Sequence, residues 1–129
     1  MAHDIFVYFE KGKLPTRQEI EYVLTDYFQG LSTGPPEWKT DRFFLNLPGT
    51  CGHPLKRVLP ENMAFHWKRY EEEPWPRWIE VWLSADKADE EDDPCIDVMT
   101  RHSDEVTNTL AHGFAEVIAR RWKGRIESG

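Results

Sequence analysis

A chain of 129 residues with 40% hydrophobic and 13% aromatic residues can bury its own core, which excludes a disordered chain and a need for stapling disulfides. The net charge of −7 comes with scattered basic pairs and no basic face, so we expect no nucleic acid as a partner. No apolar run approaches the roughly 18 residues that span a bilayer, and no secretory signal is visible. We therefore expect one cytoplasmic domain over residues 1–129, away from membranes.

The N-terminal part predicts a strand followed by a helix. Residues 4–9 alternate as in a strand that is apolar on both faces. Thr16 and Glu19 have the spacing of a capping box, and Gly30 is a natural helix stop. The apolar residues between them recur at helical spacing and are Ile20, Val23, Leu24, Tyr27, Phe28 and Leu31. One broad apolar face predicts that this helix packs on a sheet.

The middle of the chain predicts several consecutive strands, which favours antiparallel pairing. Residues 38–47 have the aromatic and aliphatic content of a strand, and residues 55–59 are consistent with a short edge strand. Residues 63–70 fit either a strand or a helical turn, and their aromatic side chains favour the strand. Residues 78–83 alternate strongly, and residues 95–99 predict a shorter strand.

A second helix is predicted at the C-terminal end. Ser103 is a suitable N-cap, Asp104 and Glu105 suit the first turn, and Gly124 suits the end of the helix. Its apolar stripe consists of Val106, Leu110, Phe114, Val117, Ile118 and Trp122. The predicted order is β-α-β-(β)-β-β-β-α. This order predicts an α+β fold, a two-layer sandwich in which two helices pack on one face of a mainly antiparallel sheet.

The motifs of common enzyme classes are not found in this sequence. It contains no phosphate-binding loop, no HExxH and no nucleophile elbow. Cys51 and Cys95 lie outside any CxxC pair, so we expect two thiols and no zinc site. We therefore expect no catalytic constellation, no metal and no cofactor.

Polar residues crowd the predicted junction between the last strand and the second helix. Backbone amides and the helix dipole converge at such a junction, and a histidine beside a carboxylate can act as a general base. The candidate ligand-binding residues are Asp97, Arg101, His102, Glu105, Asn108 and His112. The alternative is that ordinary capping residues lead into a solvated helix face.

Two other features favour binding to a protein. Trp75 lies between two prolines in a stiff segment, which is typical of an interface anchor, although it could instead cover the sheet edge. Residues 86–93 contain six acids and one base; they are either a solvated hairpin tip or charges that steer a basic partner. The candidate partner-binding residues are Trp75, Asp89, Glu90, Asp92 and Asp93.

These features predict a small acidic protein-binding module without catalytic activity, comparable in type to immunity-protein-like inhibitors or adaptors. Its expected partner is another protein with a basic surface. The alternative is a small-ligand-binding protein or enzyme that uses the strand-to-helix junction around Arg101 and His102.

Overall fold

A computed structural model describes residues 3–27, 37–39, 42–47, 63–72, 77–83, 94–100 and 104–128. These residues form an antiparallel sheet and helices, which confirms the predicted α+β class. The strands are β1 (His3–Tyr8), β2 (Glu37–Trp38), β3 (Arg42–Leu47), β4 (Arg77–Leu83), β5 (Cys95–Thr100) and β6 (Arg125–Ser128). The helices are α1 (Arg17–Tyr27), α2 (Ala64–Glu72) and α3 (Glu105–Trp122).

The sheet is open, and every neighbouring pair of its strands is antiparallel. The strand order is β2-β3-β4-β5-β1-β6, so the first and last strands of the described chain lie side by side. β1 has a neighbour on each side, which agrees with its apolar residues on both faces. β6 is an additional strand that the sequence pattern does not predict. The predicted strand at residues 55–59 lies outside the described residues.

The predicted capping box at the start of α1 is confirmed. The Thr16 amide donates to Glu19 Oε1 at 3.0 Å, and the Glu19 amide donates to Thr16 Oγ1 at 3.2 Å. These two bonds satisfy amides that the first turn of a helix leaves without intrahelical partners. The helix then buries Ile20, Val23 and Leu24. Its predicted continuation to Gly30, with Phe28, lies outside the described residues.

The strand prediction for residues 63–70 is wrong, because this segment forms α2. Met63, Trp67 and Tyr70 are at positions i, i+4 and i+7, which lie on one side of a helix. Met63 and Tyr70 are buried, and Trp67 is half-buried. The charged residues Lys68 and Arg69 are exposed on the other side. Helical periodicity therefore outweighs the strand preference of the aromatic residues, and the described chain has three helices where two are predicted.

α3 extends across the sheet and contacts β1, β4, β5 and β6, while α1 and α2 each contact α3. Its N-cap is Asp104, one residue after the predicted cap. The predicted stripe is buried at Val106, Leu110, Phe114 and Ile118, and is half-buried at Val117 and Trp122. Alternate sheet residues, such as Ile5, Val7, Ile79, Val81, Ile96 and Val98, complete the core. Among the described residues, no helix is long and apolar enough to cross a membrane.

α3 ends where the chain packs closely against β1 and the residue that follows it. Lys123 takes a left-handed conformation with φ 55°, and its amide donates to the Ala119 carbonyl. A Cβ atom at Gly124 would lie 2.7 Å from a methyl group of Val7 and 2.8 Å from the Phe9 ring. Glycine therefore permits the close approach that leads the chain directly into β6.

Candidate functional site

At the predicted strand-to-helix junction, Asp104 is occupied by structural contacts. Its carboxylate accepts hydrogen bonds from the Thr107 amide and hydroxyl, each at 2.8 Å, and from Arg77 Nε at 3.1 Å. The Arg77 side chain is only 2% exposed, and its guanidinium lies 3.9 Å from the centre of the Tyr70 ring. These contacts connect β4, α2 and the start of α3, so Asp104 stabilises the fold.

The predicted ligand-binding residues that the structure describes are Asp97, Glu105, Asn108 and His112. The Thr100 hydroxyl donates to Asn108 Oδ1 at 2.9 Å, which connects β5 to α3. Glu105 is exposed and His112 is half-buried one turn beyond Asn108. Arg101 and His102 lie outside the described residues, as do all the predicted partner-binding residues, namely Trp75, Asp89, Glu90, Asp92 and Asp93.

Asp97 lies on the opposite side of the sheet from this junction. Side chains alternate along a strand, so Thr100 faces α3 while Asp97 faces away from it, and the structure does not bring Asp97 together with Asn108. We call the side of the sheet opposite α3 the open face, a name that refers to the described residues alone. It carries Asp4, Phe6, Tyr8, Arg42, Phe44, Asn46, Trp78, Glu80, Trp82, Asp97 and Met99, as the strand register shows.

Glu80 lies near the centre of the open face and accepts hydrogen bonds from two tryptophans of its own strand. Trp78 Nε1 donates to Glu80 Oε1 at 2.9 Å, and Trp82 Nε1 donates to Glu80 Oε2 at 3.0 Å. Glu80 is only 1% exposed, and the two indoles provide the donors that a buried carboxylate needs. These two hydrogen bonds also fix the orientation of both indole rings. The alternating Trp-x-Glu-x-Trp pattern in β4 is the sequence signal that could have indicated it.

A guanidinium already stacks on the aromatic rings of the open face. The Arg42 guanidinium carbon lies 4.0 Å from the centre of the Trp82 ring and 5.5 Å from that of Phe44. The strand register explains this arrangement, because Arg42 is directly opposite Trp82. Cations are attracted to the faces of aromatic rings, and more strongly where water is partly excluded. The rings of Trp82 and Phe44 therefore lie close to a guanidinium of the same chain.

Asp97 is the described carboxyl group with the most unusual environment. Burial, a hydrogen bond with Asp4 and the nearby charges of Asp4 and Glu80 raise the pKa of Asp97 to about 7. Asp97 lies opposite Phe6 on β1 and opposite Trp82 on β4. Sequence reasoning selects Asp97 but misses Asp4 and Glu80, because only the strand pairing brings positions 4, 80 and 97 together. This carboxyl can gain or lose a proton near neutral pH.

Comparison with known proteins assigns no function to this chain, so a function is argued from the geometry of the described residues. No protein-family model, curated protein or solved structure matches the chain. In the part of the chain that the structure describes, no group of three or more His, Cys, Asp or Glu residues is placed to hold a metal ion. The open face therefore combines fixed aromatic rings with carboxylates, a combination suited to recognising cationic side chains.

Proposed function

We propose that this chain is a non-catalytic protein-binding module, and that a partner with a basic surface binds to the open face of its sheet. In this proposal residues 1–129 form one two-layer domain, with the helices on one layer and the open face directed to the partner. The observation that carries the proposal is the pair Trp78 and Trp82, held in place by Glu80 on that face.

The charges of the open face favour a cationic partner. The carboxyl groups of the described strands on this side are those of Asp4, Glu37, Glu80, Asp97 and Glu127. The guanidinium groups on the same side are those of Arg42 and Arg125, and Arg125 pairs with Glu127 at 3.3 Å. Acidic groups therefore outnumber basic groups, in keeping with the net charge of −7. Complementary charge accelerates association and discourages acidic partners.

The aromatic side chains supply the affinity in this proposal. Tryptophan and tyrosine are enriched among the residues that dominate binding energy at interfaces. Trp78 and Trp82 are half-buried and hydrogen-bonded to Glu80, so they lose little conformational freedom when a partner binds. We include Trp75 as a further anchor and the acidic residues of segment 86–93 as steering charges.

A small-ligand site at the strand-to-helix junction has less support. Asp104 is engaged by Arg77 and Thr107, and Asn108 by Thr100, so these described polar groups already have structural partners. The proposal therefore places recognition on the open face and leaves the junction to hold β4, β5 and α3 together.

The proposal is tested by affinity capture from the native host, comparing the wild-type chain with Asn46→Arg. Asn46 is exposed on β3, where an arginine leaves the core intact but adds a positive charge to the open face. The matched control is Gln18→Arg, which adds the same charge to the exposed side of α1. We expect a partner that binds the wild type and Gln18→Arg but binds Asn46→Arg at least about tenfold more weakly, because like charges across an interface repel.

A second variant tests the aromatic anchor. Trp82→Ala should weaken binding to the captured partner by about 2 kcal/mol or more, chiefly through faster dissociation. Tyr22→Ala is the control, because Tyr22 is a large aromatic residue that is 66% exposed on α1. A partner whose affinity changes with neither Asn46→Arg nor Trp82→Ala would contradict the assignment of the open face. Circular dichroism of each variant distinguishes loss of binding from loss of folding.

A further inference from the structure

The seam between β1 and β5 connects both ends of the chain to the rest of the sheet. β6 pairs with β1, and β1 pairs with β5. On the open face, Asp4 is opposite Met99 and Phe6 is opposite Asp97, so the two carboxyl groups are diagonal neighbours across this seam. The closeness of the two carboxyl groups helps to raise the pKa of Asp97, and two such groups can share one proton in an O–H···O bond.

The groups that face Asp97 offer little to stabilise its ionised form. Asp4 approaches from β1 and Glu80 from β4, and Cys95 lies two residues before it on the same side of β5. On β6, Glu127 lies beyond Phe6, where it pairs with Arg125. The guanidinium of Arg42 on β3 is stacked on Trp82 and Phe44. Asp97 Oδ1 is itself buried and accepts no hydrogen bond from any residue in the described ranges.

We propose that Asp4 and Asp97 form a proton-operated latch on the seam between β1 and β5. While the pair shares a proton, an O–H···O bond holds the two strands together across the open face. When both carboxyls are ionised, that bond is lost and two like charges face each other beside the carboxylate of Glu80. The latch thus weakens the attachment of β1, and of β6 with it, as the pH rises.

The direction of the pH effect follows from the pKa of Asp97. That pKa rises from 3.8 to about 7 on folding, so between these values the folded protein binds a proton that the unfolded chain releases. Stability therefore falls as the pH increases through this range, and the loss is complete above about pH 7. Most carboxylates act in the opposite direction, because native ion pairs lower their pKa values.

The latch is tested by comparing thermal unfolding of the wild type and Asp97→Asn at pH 5.5 and pH 8. An asparagine at this position cannot ionise, so we expect the variant's gain in melting temperature over the wild type to be larger at pH 8 than at pH 5.5. Asp26→Asn, on the exposed side of α1, is the matched control and should show no such pH-dependent difference. Equal pH dependence in the wild type and Asp97→Asn would overturn the proposal.

Amide hydrogen exchange shows which strands open more often as the pH rises. Protection factors are compared after correction for the intrinsic pH dependence of exchange. From pH 6 to pH 8 we expect β1 and β6 amides to open about tenfold more often, the equivalent of one pKa unit. This is less than the full pKa change of Asp97, because most of that change takes effect below pH 6. Amides between β3 and β4 that exchange by local fluctuations, with the seam closed, should not change. Unchanged protection of the β1 and β6 amides from pH 6 to pH 8 would contradict a latch.

A carboxyl titration of the wild type keeps the proposal testable if Asp97→Asn does not fold. Carbon-13 NMR of the aspartate carboxyl groups should show Asp97 titrating near neutral pH. An ordinary titration of Asp97 near pH 4 would overturn the latch. The experiment needs no binding partner, so its outcome is independent of the proposed protein-binding function.

Discussion

Replacing Arg77 with alanine tests how the buried ion pair joins β4, α2 and α3. Arg77 Nε lies 3.1 Å from Asp104 Oδ2, and the two side chains are 2% and 15% exposed. The substitution removes one hydrogen bond between charged groups, which contributes about 1.5–3 kcal/mol, and a stacked guanidinium, which contributes about 1–2 kcal/mol when shielded from water. The sum of about 3–5 kcal/mol matches the usual cost of breaking a buried pair.

Arg125→Ala provides a matched control for this substitution. Arg125 Nε also contacts a carboxylate, Glu127, at 3.3 Å, but the two side chains are 64% and 54% exposed. Exposed pairs contribute about 0–1 kcal/mol, since water and salt screen the charges. The two arginines thus share chemistry and geometry and differ chiefly in burial.

Urea unfolding at pH 7, followed by tryptophan fluorescence, measures both changes in the free energy of unfolding. We expect Arg77→Ala to lose about 3–5 kcal/mol and Arg125→Ala to lose less than about 1 kcal/mol. Similar losses in the two variants, or a loss below about 1 kcal/mol for Arg77→Ala, would show that the Arg77 contacts do not stabilise the fold.

Two other substitutions and one segment replacement test separate parts of the chain. Phe114→Ala should lower the free energy of unfolding by about 3–5 kcal/mol, because Phe114 is fully buried; a loss below about 1 kcal/mol would mean that the core is misassigned. Thr16→Ala should cost about 1 kcal/mol by urea unfolding, since it removes one bond of the capping box, and no measurable loss would show that the cap is not formed in solution. Replacing segment 86–93, which lies outside the described residues, with a short Gly/Ser loop should leave the melting temperature unchanged or raise it, because clustered like charges repel. A large fall would show that these carboxylates are paired.

Much of the fold could be predicted because local signals and burial agree. The alternation in β1, β4 and β5 and the apolar spacing in α1 and α3 each match the face that is buried. The capping residues of α1 predict its start at the observed position. In these segments the side chains that favour the local structure are also the ones that form the core.

The errors come from segments in which local and tertiary preferences conflict. α2 contains aromatic residues typical of strands, yet its burial follows a helical period. β6 has four residues, of which only Ile126 is apolar, so nothing in its sequence predicts a strand. Its place in the sheet is set by pairing with β1, an interaction between the two ends of the chain.

The candidate site could be predicted only in part, because its members are distant in sequence. Proximity along the chain groups Asp97 with Arg101 and His102, whereas strand alternation directs Asp97 to the open face. Its actual neighbours Asp4 and Glu80 come from β1 and β4. Strand order, which the sequence pattern does not determine, decides this grouping.

The most direct test of the open face as the binding surface is a nitrogen-15 NMR titration with an arginine–serine repeat peptide of ten residues. A glutamate–serine peptide of the same length is the control. We expect saturable shifts of the Trp78 and Trp82 indole signals with the arginine peptide only, and much weaker binding to Asn46→Arg. Shifts confined to residues on α1 or α3, or equal shifts with both peptides, would contradict recognition of basic partners by the open face.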